Sequence, residues 1–151
     1  MRHNLDHPIV GAIYFSELNR AESLAEDLAF YYGENWQEQI TVSPAGCVYR
    51  DRLQNLSETD PVLLIAHAYT RYMGDLSGGQ SLKKVIRSAL ALSGAEGTSF
   101  YEFDQIATPE AKRTFKEHYR QALDKLSVDA ATIDRIVAEA NTAFLFNRDM
   151  V

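Results

Sequence analysis

Cysteine and long apolar runs are scarce in this chain of 151 residues. Its one cysteine, Cys47, cannot form an internal disulfide, which excludes disulfide-stabilised secreted domains and is typical of a reducing compartment. No apolar run reaches the roughly 18 residues that a membrane-spanning helix needs, and the opening MRHNLDHPIV resembles neither a signal peptide nor a transit peptide. The sequence therefore predicts a soluble protein of the cytoplasm, or of the plastid stroma if a transit peptide precedes the chain.

Basic residues are also fewer than acidic ones. The chain has 15 Lys and Arg against 21 Asp and Glu, which gives a formal net charge of −6. This acidic excess disfavours nucleic acid as a partner recognised through overall charge. A hydrophobic content of 46% and a charged content of 24% are those of a soluble globular protein with a core. We expect one domain that occupies residues 1–151.

Apolar residues recur at three and four along most of the chain, which is the period of an amphipathic helix. This spacing predicts helices over residues 17–32, 45–56, 61–90 and 108–126, and a last one from residues 127–129 towards the C-terminus. Gly33 supplies a helix stop, and Pro61 is tolerated in a first helical turn. No alternation of period two persists, so the predicted fold class is all-α.

The stretch MGDLSGGQ, residues 73–80, conflicts with this helical pattern because Gly74, Gly78 and Gly79 surround the lone acid Asp75. A loop between two helices is one interpretation, since Ser-Gly-Gly is a common linker composition. A phosphate-binding loop is a weak second one, because the GxxxxGK[ST] spacing and a preceding strand are missing. A helix that continues through the glycines costs roughly 3 kcal/mol relative to alanine. That cost suits a helix whose backbone lies flush against a flat ligand.

The third interpretation gains from the neighbouring side chains. Gly74 and Gly78 are four residues apart and hence on one helical face, and Arg71 and His67 precede them on that face. A bare helical strip flanked by one arginine and one acid suits a planar ligand with polar chemistry at its edge.

The segment LLIAHAYTRYMGDLSGGQSLKKVIRSAL resembles the distal-helix signature of the biliverdin-producing heme oxygenases. Three further segments resemble the same family in the same order, most closely its cyanobacterial and plastid members: DHPIVGAIYFSELNRAESLAEDLAFYYGENWQ, FKEHYRQALDKL and EANTAFLFN. The resemblance covers residues 6–147. It implies a multi-helix bundle with a glycine-kinked distal helix, lacking the N-terminal proximal helices of the family. The predicted domain is thus incomplete at its N-terminus and slightly at its C-terminus.

The resemblance also implies a role for individual residues. Asp75 matches the acid that orders distal water beside bound oxygen, and Arg71 and Asn147 match polar members of that network. Lys116 and Arg120, four residues apart, match the cations that hold the heme propionates. Positions that match further heme contacts are Tyr69, Thr70, Gly74, Ser77, Gly78, Gly79 and Phe144.

The implied reaction is oxidative cleavage of heme to biliverdin, carbon monoxide and ferrous iron. Heme is then both substrate and cofactor, and ferredoxin or a reductase supplies the electrons. Taken alone, each site residue also fits a simpler role: the Lys116 and Arg120 pair a solvated face, Asp75 a surface acid, and Tyr69 and Phe144 core residues. Lys83, Lys84 and Arg87 are either a docking patch for an acidic electron donor or an exposed solvated face.

The family's axial histidine has no counterpart in this chain, because the family carries it on a helix upstream of the matched residues. No metal ligand is therefore assigned. His3 and His7 fall in a terminus expected to fray, and His118 is expected to point away from Lys116 and Arg120. A hydrogen-bonded structural role is expected for His67.

Two functions of different class remain open on the sequence. One is a heme oxygenase whose activity as this chain alone is doubtful without the proximal helix. The other is a truncated, non-catalytic helical module that binds heme or a bilin, or that associates with another copy through an exposed apolar groove. A ferritin-like di-iron protein is excluded, because Leu64 and Phe115 stand where its Glu-x-x-His pairs need glutamate.

Overall fold

The structure, a computed structural model, describes residues 1–150. Within them, seven α-helices are joined by short 3-10 turns and loops, and no strand is present, which confirms the all-α prediction. None of these helices is both long enough and apolar enough to cross a membrane. The helices are α1 (Pro8–Gly11), α2 (Ala21–Tyr32), α3 (Trp36–Gln39), α4 (Pro44–Thr59), α5 (Leu64–Ala89), α6 (Pro109–Asp124) and α7 (Ala130–Asp149).

Short polar side chains begin three of the long helices by accepting a hydrogen bond from a first-turn N–H. Ser43 Oγ accepts from Gly46 in α4 at 3.1 Å, and Thr108 Oγ1 accepts from Ala111 in α6 at 3.0 Å. The Asp129 carboxylate accepts from the third residue of α7 at 2.8 Å, and this hydrogen bond lowers the pKa of Asp129. Each cap satisfies a donor that the helix itself leaves unpaired, so the boundaries follow from local sequence.

The predicted helix over residues 17–32 is wrong at its start. Ser16–Leu18 forms a 3-10 turn, Asn19 is extended, and α2 begins at Ala21. The reason is tertiary, because Leu18 is buried and the Arg20 side chain is bound elsewhere in the fold. The end is as predicted: Gly33, at φ +84°, closes the helix with its N–H on the Ala29 carbonyl.

The glycine stretch is helical. Helix α5 runs without interruption from Leu64 to Ala89, so the loop interpretation is wrong and the continuous one is confirmed. A 3-10 turn, Pro61–Leu63, precedes it. Helix α4 ends at Thr59, three residues after the predicted end at residue 56, and Asp60 and Pro61 stop it there.

The N-terminal residues are ordered into local structure, against the expectation that they fray. Arg2–Asn4 is a 3-10 turn, and the Asn4 side chain exchanges hydrogen bonds with Ser57 of α4 at 2.7 and 2.9 Å. His7 caps α1, with Nδ1 accepting from Ile9 and Val10 at 3.3 and 3.4 Å. Nδ1 of His7 is therefore engaged in capping the helix.

Two compact units make up the described chain. The first unit contains Met1–Tyr14, Val42–Arg71 and residues 117–150. One buried cluster within it joins α4 to the start of α5 through Leu56, Leu63 and Leu64, with Ile136 of α7 packed against them. Burial of these leucines stabilises the unit by roughly 1.5–3 kcal/mol for each side chain.

The second unit contains Phe15–Thr41 and Tyr72–Lys116. Helix α2 is fixed in it by Asp27, whose buried carboxylate accepts from the N–H groups of Ser99 and Phe100 at 2.7 and 2.8 Å. These two donors begin the 3-10 turn Ser99–Tyr101, so one carboxylate satisfies both unpaired N–H groups of the turn. The apolar core of this unit includes Leu18, Met73, Leu76, Phe103, Ile106 and Phe115.

Candidate functional site

The residues predicted for the site are divided between the two units. Tyr69, Thr70, Arg71, Arg120, Phe144 and Asn147 belong to the first. Gly74, Asp75, Ser77, Gly78, Gly79 and Lys116 belong to the second. Helix α5 contributes residues to both groups, because its first eight residues are in one unit and the remainder in the other.

The three glycines of α5 are not equivalent. Gly74 and Gly78 are exposed, and a Cβ atom added to either would meet nothing within 4 Å. Gly79 is buried, and a Cβ there would lie 3.0 Å from Cδ1 of Tyr101 and 3.3 Å from Cβ of Asp75. We call the exposed surface at Gly74 and Gly78 the glycine face. It is open backbone on a helix, whereas Gly79 permits close packing inside the protein.

Asp75 is held by an arginine that the sequence did not single out. Its Oδ2 accepts from Nη2 of Arg20 at 2.8 Å, with side-chain exposures of 15% and 6% respectively. The main-chain carbonyl of Asp75 accepts from Gln80 Nε2 at 3.2 Å, and the same amide donates to the Tyr101 carbonyl at 3.0 Å. Both the side chain and the backbone of Asp75 are thus fixed by neighbours in its own unit.

A cation lies beside the glycine face. Lys116 of α6 donates from Nζ to Ser77 Oγ on α5 at 3.2 Å, which brings together two residues that were predicted for the site. Arg120 follows one turn later on α6 and is exposed. Side chains four residues apart on a helix are neighbours, so the two cations occupy one face of α6.

In the first unit, Arg71 and Asn147 form a direct pair. Arg71 Nη1 donates to Asn147 Oδ1 at 2.6 Å, although the two residues are 76 positions apart in sequence. Asn147 Nδ2 donates to the Ala143 carbonyl at 2.7 Å, so both ends of the amide are engaged and its orientation is set. The structure thus joins two residues that the resemblance assigned to one polar network.

His67 occupies a buried polar cluster rather than a ligand position. Its Nδ1 lies 3.0 Å from the Tyr49 hydroxyl and its Nε2 lies 2.9 Å from Glu139 Oε1. Arg52 donates to both oxygens of Glu139 at 3.0 and 2.6 Å. A neutral ring with its proton on Nε2 satisfies every partner, because Nε2–H then donates to the carboxylate and Nδ1 accepts from the phenol. The expected structural role of His67 is confirmed by these contacts.

The pKa values of this cluster agree with that protonation state. Burial lowers the pKa of His67 and outweighs the opposing effect of the Glu139 charge. Burial alone would raise the pKa of Glu139, but hydrogen bonds from Arg52 and His67 lower it overall. Burial raises the pKa of Tyr49, against a hydrogen bond from Asn147. Near neutral pH the cluster therefore holds a neutral imidazole, an ionised carboxylate and a protonated phenol.

The three remaining predicted residues have different environments. The Tyr69 ring lies 6.2 Å from the Tyr119 ring, between centroids, and Phe144 is 64% exposed. Thr70 Oγ1 is buried and has no hydrogen-bond partner among the described residues. Phe144 is thus on the surface of α7, and the simpler core role considered for it does not hold.

The basic cluster after the glycines is largely paired within the protein. Lys83 Nζ and Arg87 Nη2 both contact Glu102 Oε1, at 3.0 and 2.9 Å, and Arg87 Nε donates to Thr98 at 2.8 Å. Lys84 is exposed. The charge that this cluster offers to an acidic partner is therefore smaller than the sequence suggests.

Residues 1–150 contain no group of three or more His, Cys, Asp or Glu side chains placed to hold a metal ion. The buried polar residues that sequence reasoning missed are Arg20, beside Asp75, and Tyr49 and Glu139, beside His67. Their partners are 55, 18 and 72 positions away. No local spacing rule reaches across such separations, so periodicity gave no signal for them.

Comparison with known proteins places this arrangement in one family. A sequence model described as heme oxygenase matches residues 1–151. The chain is 56% identical to heme oxygenase 2 of Synechocystis sp. over 151 residues, which is all of this chain and 60% of that protein. It is 54% identical to heme oxygenase 1 of Nostoc sp., over 99% of this chain and 62% of that protein. The chain thus spans about 60% of the length of the curated relatives it matches.

Solved structures give the same result. The crystal structure of heme oxygenase-2 from Synechocystis sp. in complex with heme and NO has a TM-score of 0.97 and 57% identity, covering 99% of this chain and 61% of that one. Heme oxygenase-1 from the same cyanobacterium, in complex with heme, has a TM-score of 0.91 and 52% identity, covering 97% of this chain and 64% of that one. With a sequence match over residues 1–151 and a match in fold over 99% of its length, the chain belongs to the heme oxygenase family.

Proposed function

We propose that this chain binds heme and cleaves it oxidatively to biliverdin, carbon monoxide and ferrous iron, with electrons from ferredoxin or a reductase. The observation that carries the proposal is the glycine face of α5, with Lys116 beside it. Family membership and the heme-bound state of the two similar crystal structures support it.

The residues present fit a porphyrin. Gly74 and Gly78 leave space on an exposed helical face, so a flat ring can approach the backbone there. Any larger residue at either position would project into that space. Lys116, which donates to Ser77 beside this face, supplies a positive charge that a propionate requires. A planar apolar ring with an acidic substituent matches this combination of open backbone and a neighbouring cation.

Bound heme supplies the iron at which oxygen is reduced, and the side chains of this chain control protons and water around it. Arg20 fixes the position of the Asp75 carboxylate. This carboxylate accepts hydrogen bonds, so it can hold a water molecule in a fixed place. Arg71 and Asn147 present a guanidinium and an amide of set orientation. Positioned groups of this kind contribute through proton delivery in the reaction.

The proposal predicts that the chain, incubated with hemin, ferredoxin, ferredoxin reductase and NADPH, forms biliverdin, and that Asp75→Asn reduces the rate by roughly 100-fold. The amide keeps the shape of the side chain, but its neutral oxygen holds a proton-donating water more weakly than a charged carboxylate does. Biliverdin is followed by its absorbance and carbon monoxide by its complex with ferrous myoglobin.

The matched control is Asp104→Asn, which makes the same exchange at an exposed position of the second unit. It is expected to leave the rate unchanged. Hemin binding, measured by titration, is expected to be similar in all three proteins. A wild-type chain that binds hemin and forms no biliverdin under these conditions contradicts the catalytic part of the proposal.

A second candidate function is a non-catalytic module that associates with another copy of itself. The observation that favours it is an apolar stripe on α7, formed by Ile133, Val137 and Phe144, whose side chains are 48%, 58% and 64% exposed. Spacings of four and seven residues put all three on one face of the helix. The molecular mass in solution separates this candidate from a monomeric enzyme.

A further inference from the structure

Arg20 is a buried arginine with no part in the helix pattern of the sequence. It lies between the 3-10 turn Ser16–Leu18 and α2, and 8% of its surface is exposed. A guanidinium is always charged in a protein and is rarely buried unless a partner neutralises it. The contacts of Arg20 therefore indicate which group its buried charge serves.

The guanidinium is enclosed by rings and by two acceptors. Its carbon lies 4.0 Å from the ring centroid of Phe100, 4.9 Å from that of Phe103 and 5.4 Å from that of Tyr72. Nη1 donates to the Phe100 carbonyl at 3.1 Å, and Nη2 donates to Asp75 Oδ2 at 2.8 Å. Nε is buried without an acceptor among the described residues. Asp75 supplies the carboxylate that neutralises this buried guanidinium.

This enclosure restricts movement. Aromatic faces hold a planar cation in one orientation, and lysine cannot reproduce both the stacking and the forked donors. Gln80 fixes the backbone of Asp75 in addition, through the Asp75 and Tyr101 carbonyls. An aspartate on an open helical face samples several rotamers, whereas this carboxylate is bound at a defined point by a rigid donor.

We propose that Arg20 is a positioning residue for Asp75, holding its carboxylate in the single orientation that the reaction uses. The inference rests on the proposed function, because it assigns Arg20 a part in the same chemistry. Without Arg20 the water held by Asp75 loses its fixed place. Two electrons and two protons then reduce oxygen to hydrogen peroxide, which leaves the site, and heme is not cleaved.

Two substitutions test the proposal on the full chain. Arg20→Gln removes the charge, and Arg20→Lys keeps it but loses the fork and the stacking. We expect the amount of biliverdin formed per NADPH consumed to fall roughly 10-fold in R20Q, since a displaced catalytic group costs up to about 100-fold. Hydrogen peroxide is expected to rise in proportion, and R20K is expected to recover part of the ratio. Hemin affinity is expected to remain close to that of the wild type.

A second readout needs no heme. The guanidinium N–H resonances of Arg20 in ¹⁵N spectra of the chain without ligand are expected to exchange slowly with water, and Asp75→Asn is expected to accelerate that exchange. Leu56→Ala, which removes a buried side chain from the first unit, is the control for lost stability. It is expected to lower the unfolding temperature and to leave the biliverdin-to-NADPH ratio unchanged.

The outcomes are separable. An active wild type with an unchanged ratio in R20Q overturns the inference and leaves the proposed function standing. A wild type that binds hemin and forms no biliverdin overturns the proposed function, and this role for Arg20 with it. If R20Q does not give a helical circular dichroism spectrum, R20K decides. A biliverdin-to-NADPH ratio in R20K equal to that of the wild type would mean that the forked donors and ring stacking of arginine are not needed, and would overturn the inference.

Discussion

His67 shows how a buried titratable side chain is satisfied without serving as a ligand. Both ring nitrogens have partners, and the Glu139 carboxylate is further neutralised by Arg52. Removing one member would leave a buried polar group unpaired, at a cost of about 1–3 kcal/mol. The cluster therefore contributes to the stability of the first unit as a set.

This cluster predicts that the chain loses stability in acid. The pKa of His67 is lowered in the folded state, so the unfolded chain takes up its proton first as the pH falls below 6.5. The pKa of Glu139 is lowered from 4.5, and protonation again favours the unfolded chain. The stabilisation from both groups is complete at pH 7 and decreases through pH 6.5 and then pH 4.5. Thermal unfolding followed by circular dichroism between pH 7.5 and 4 measures it.

Two variants isolate the histidine. His67→Gln retains a donor and an acceptor but does not titrate, so its unfolding temperature is expected to change less than that of the wild type between pH 6.5 and 5. His3→Gln, at an exposed position of the N-terminal turn, is the control and is expected to follow the wild-type curve. Equal pH dependence in H67Q and the wild type would contradict the assignment to His67.

Helix α5 stays continuous across three glycines, although each glycine weakens a helix. Gly79 is explained by packing, because the Tyr101 ring occupies the place where a side chain would extend. Gly74 and Gly78 have no such neighbour within the protein. Each lowers helix stability by about 1 kcal/mol relative to alanine, and because an added Cβ would meet nothing within 4 Å, close packing does not explain the absence of a side chain.

Gly78→Ala is therefore expected to raise the free energy of unfolding by about 1 kcal/mol and to weaken hemin binding, because the new methyl group projects from the glycine face. Gly79→Ala is expected to gain less stability, since Tyr101 must move by a few tenths of an ångström. Chemical denaturation and hemin titration provide the two measurements.

The control for helix propensity is Ser88→Ala, at an exposed position near the end of α5. It is expected to stabilise the helix slightly and to leave hemin affinity unchanged. A Gly78→Ala variant that is more stable and binds hemin as tightly as the wild type would mean that the glycine face does not contact the porphyrin.

For the molecule as a whole, the exposed apolar stripe of α7 predicts self-association. Ile133, Val137 and Phe144 present apolar surface to water, and contact with a second copy would remove it. Val137→Glu places a charge in the middle of the stripe and is expected to weaken association by roughly 10-fold, because burying an unpaired charge is costly. Sedimentation velocity over a range of concentrations measures the effect.

Ala138→Glu is the matched control, since it introduces the same charge at an exposed position on a different face of α7. It is expected to associate as the wild type does. A wild-type chain that is monomeric at every concentration would contradict self-association through the apolar stripe and reject the second candidate function.

The sequence alone determined the long helices, because helical features depend on neighbours within about four residues, whereas the candidate site residues were predicted from the resemblance to a family. Periodicity predicted the all-α class, caps such as Asp129 and stops such as Gly33 set boundaries, and the signature around Gly74 and Asp75 pointed to the family. Tertiary structure alone decided where α2 begins, why Gly79 differs from Gly78, and that Arg20 binds Asp75. These depend on contacts between residues 22 to 55 positions apart, and such pairs are fixed by packing and charge neutralisation in three dimensions, which no local pattern records.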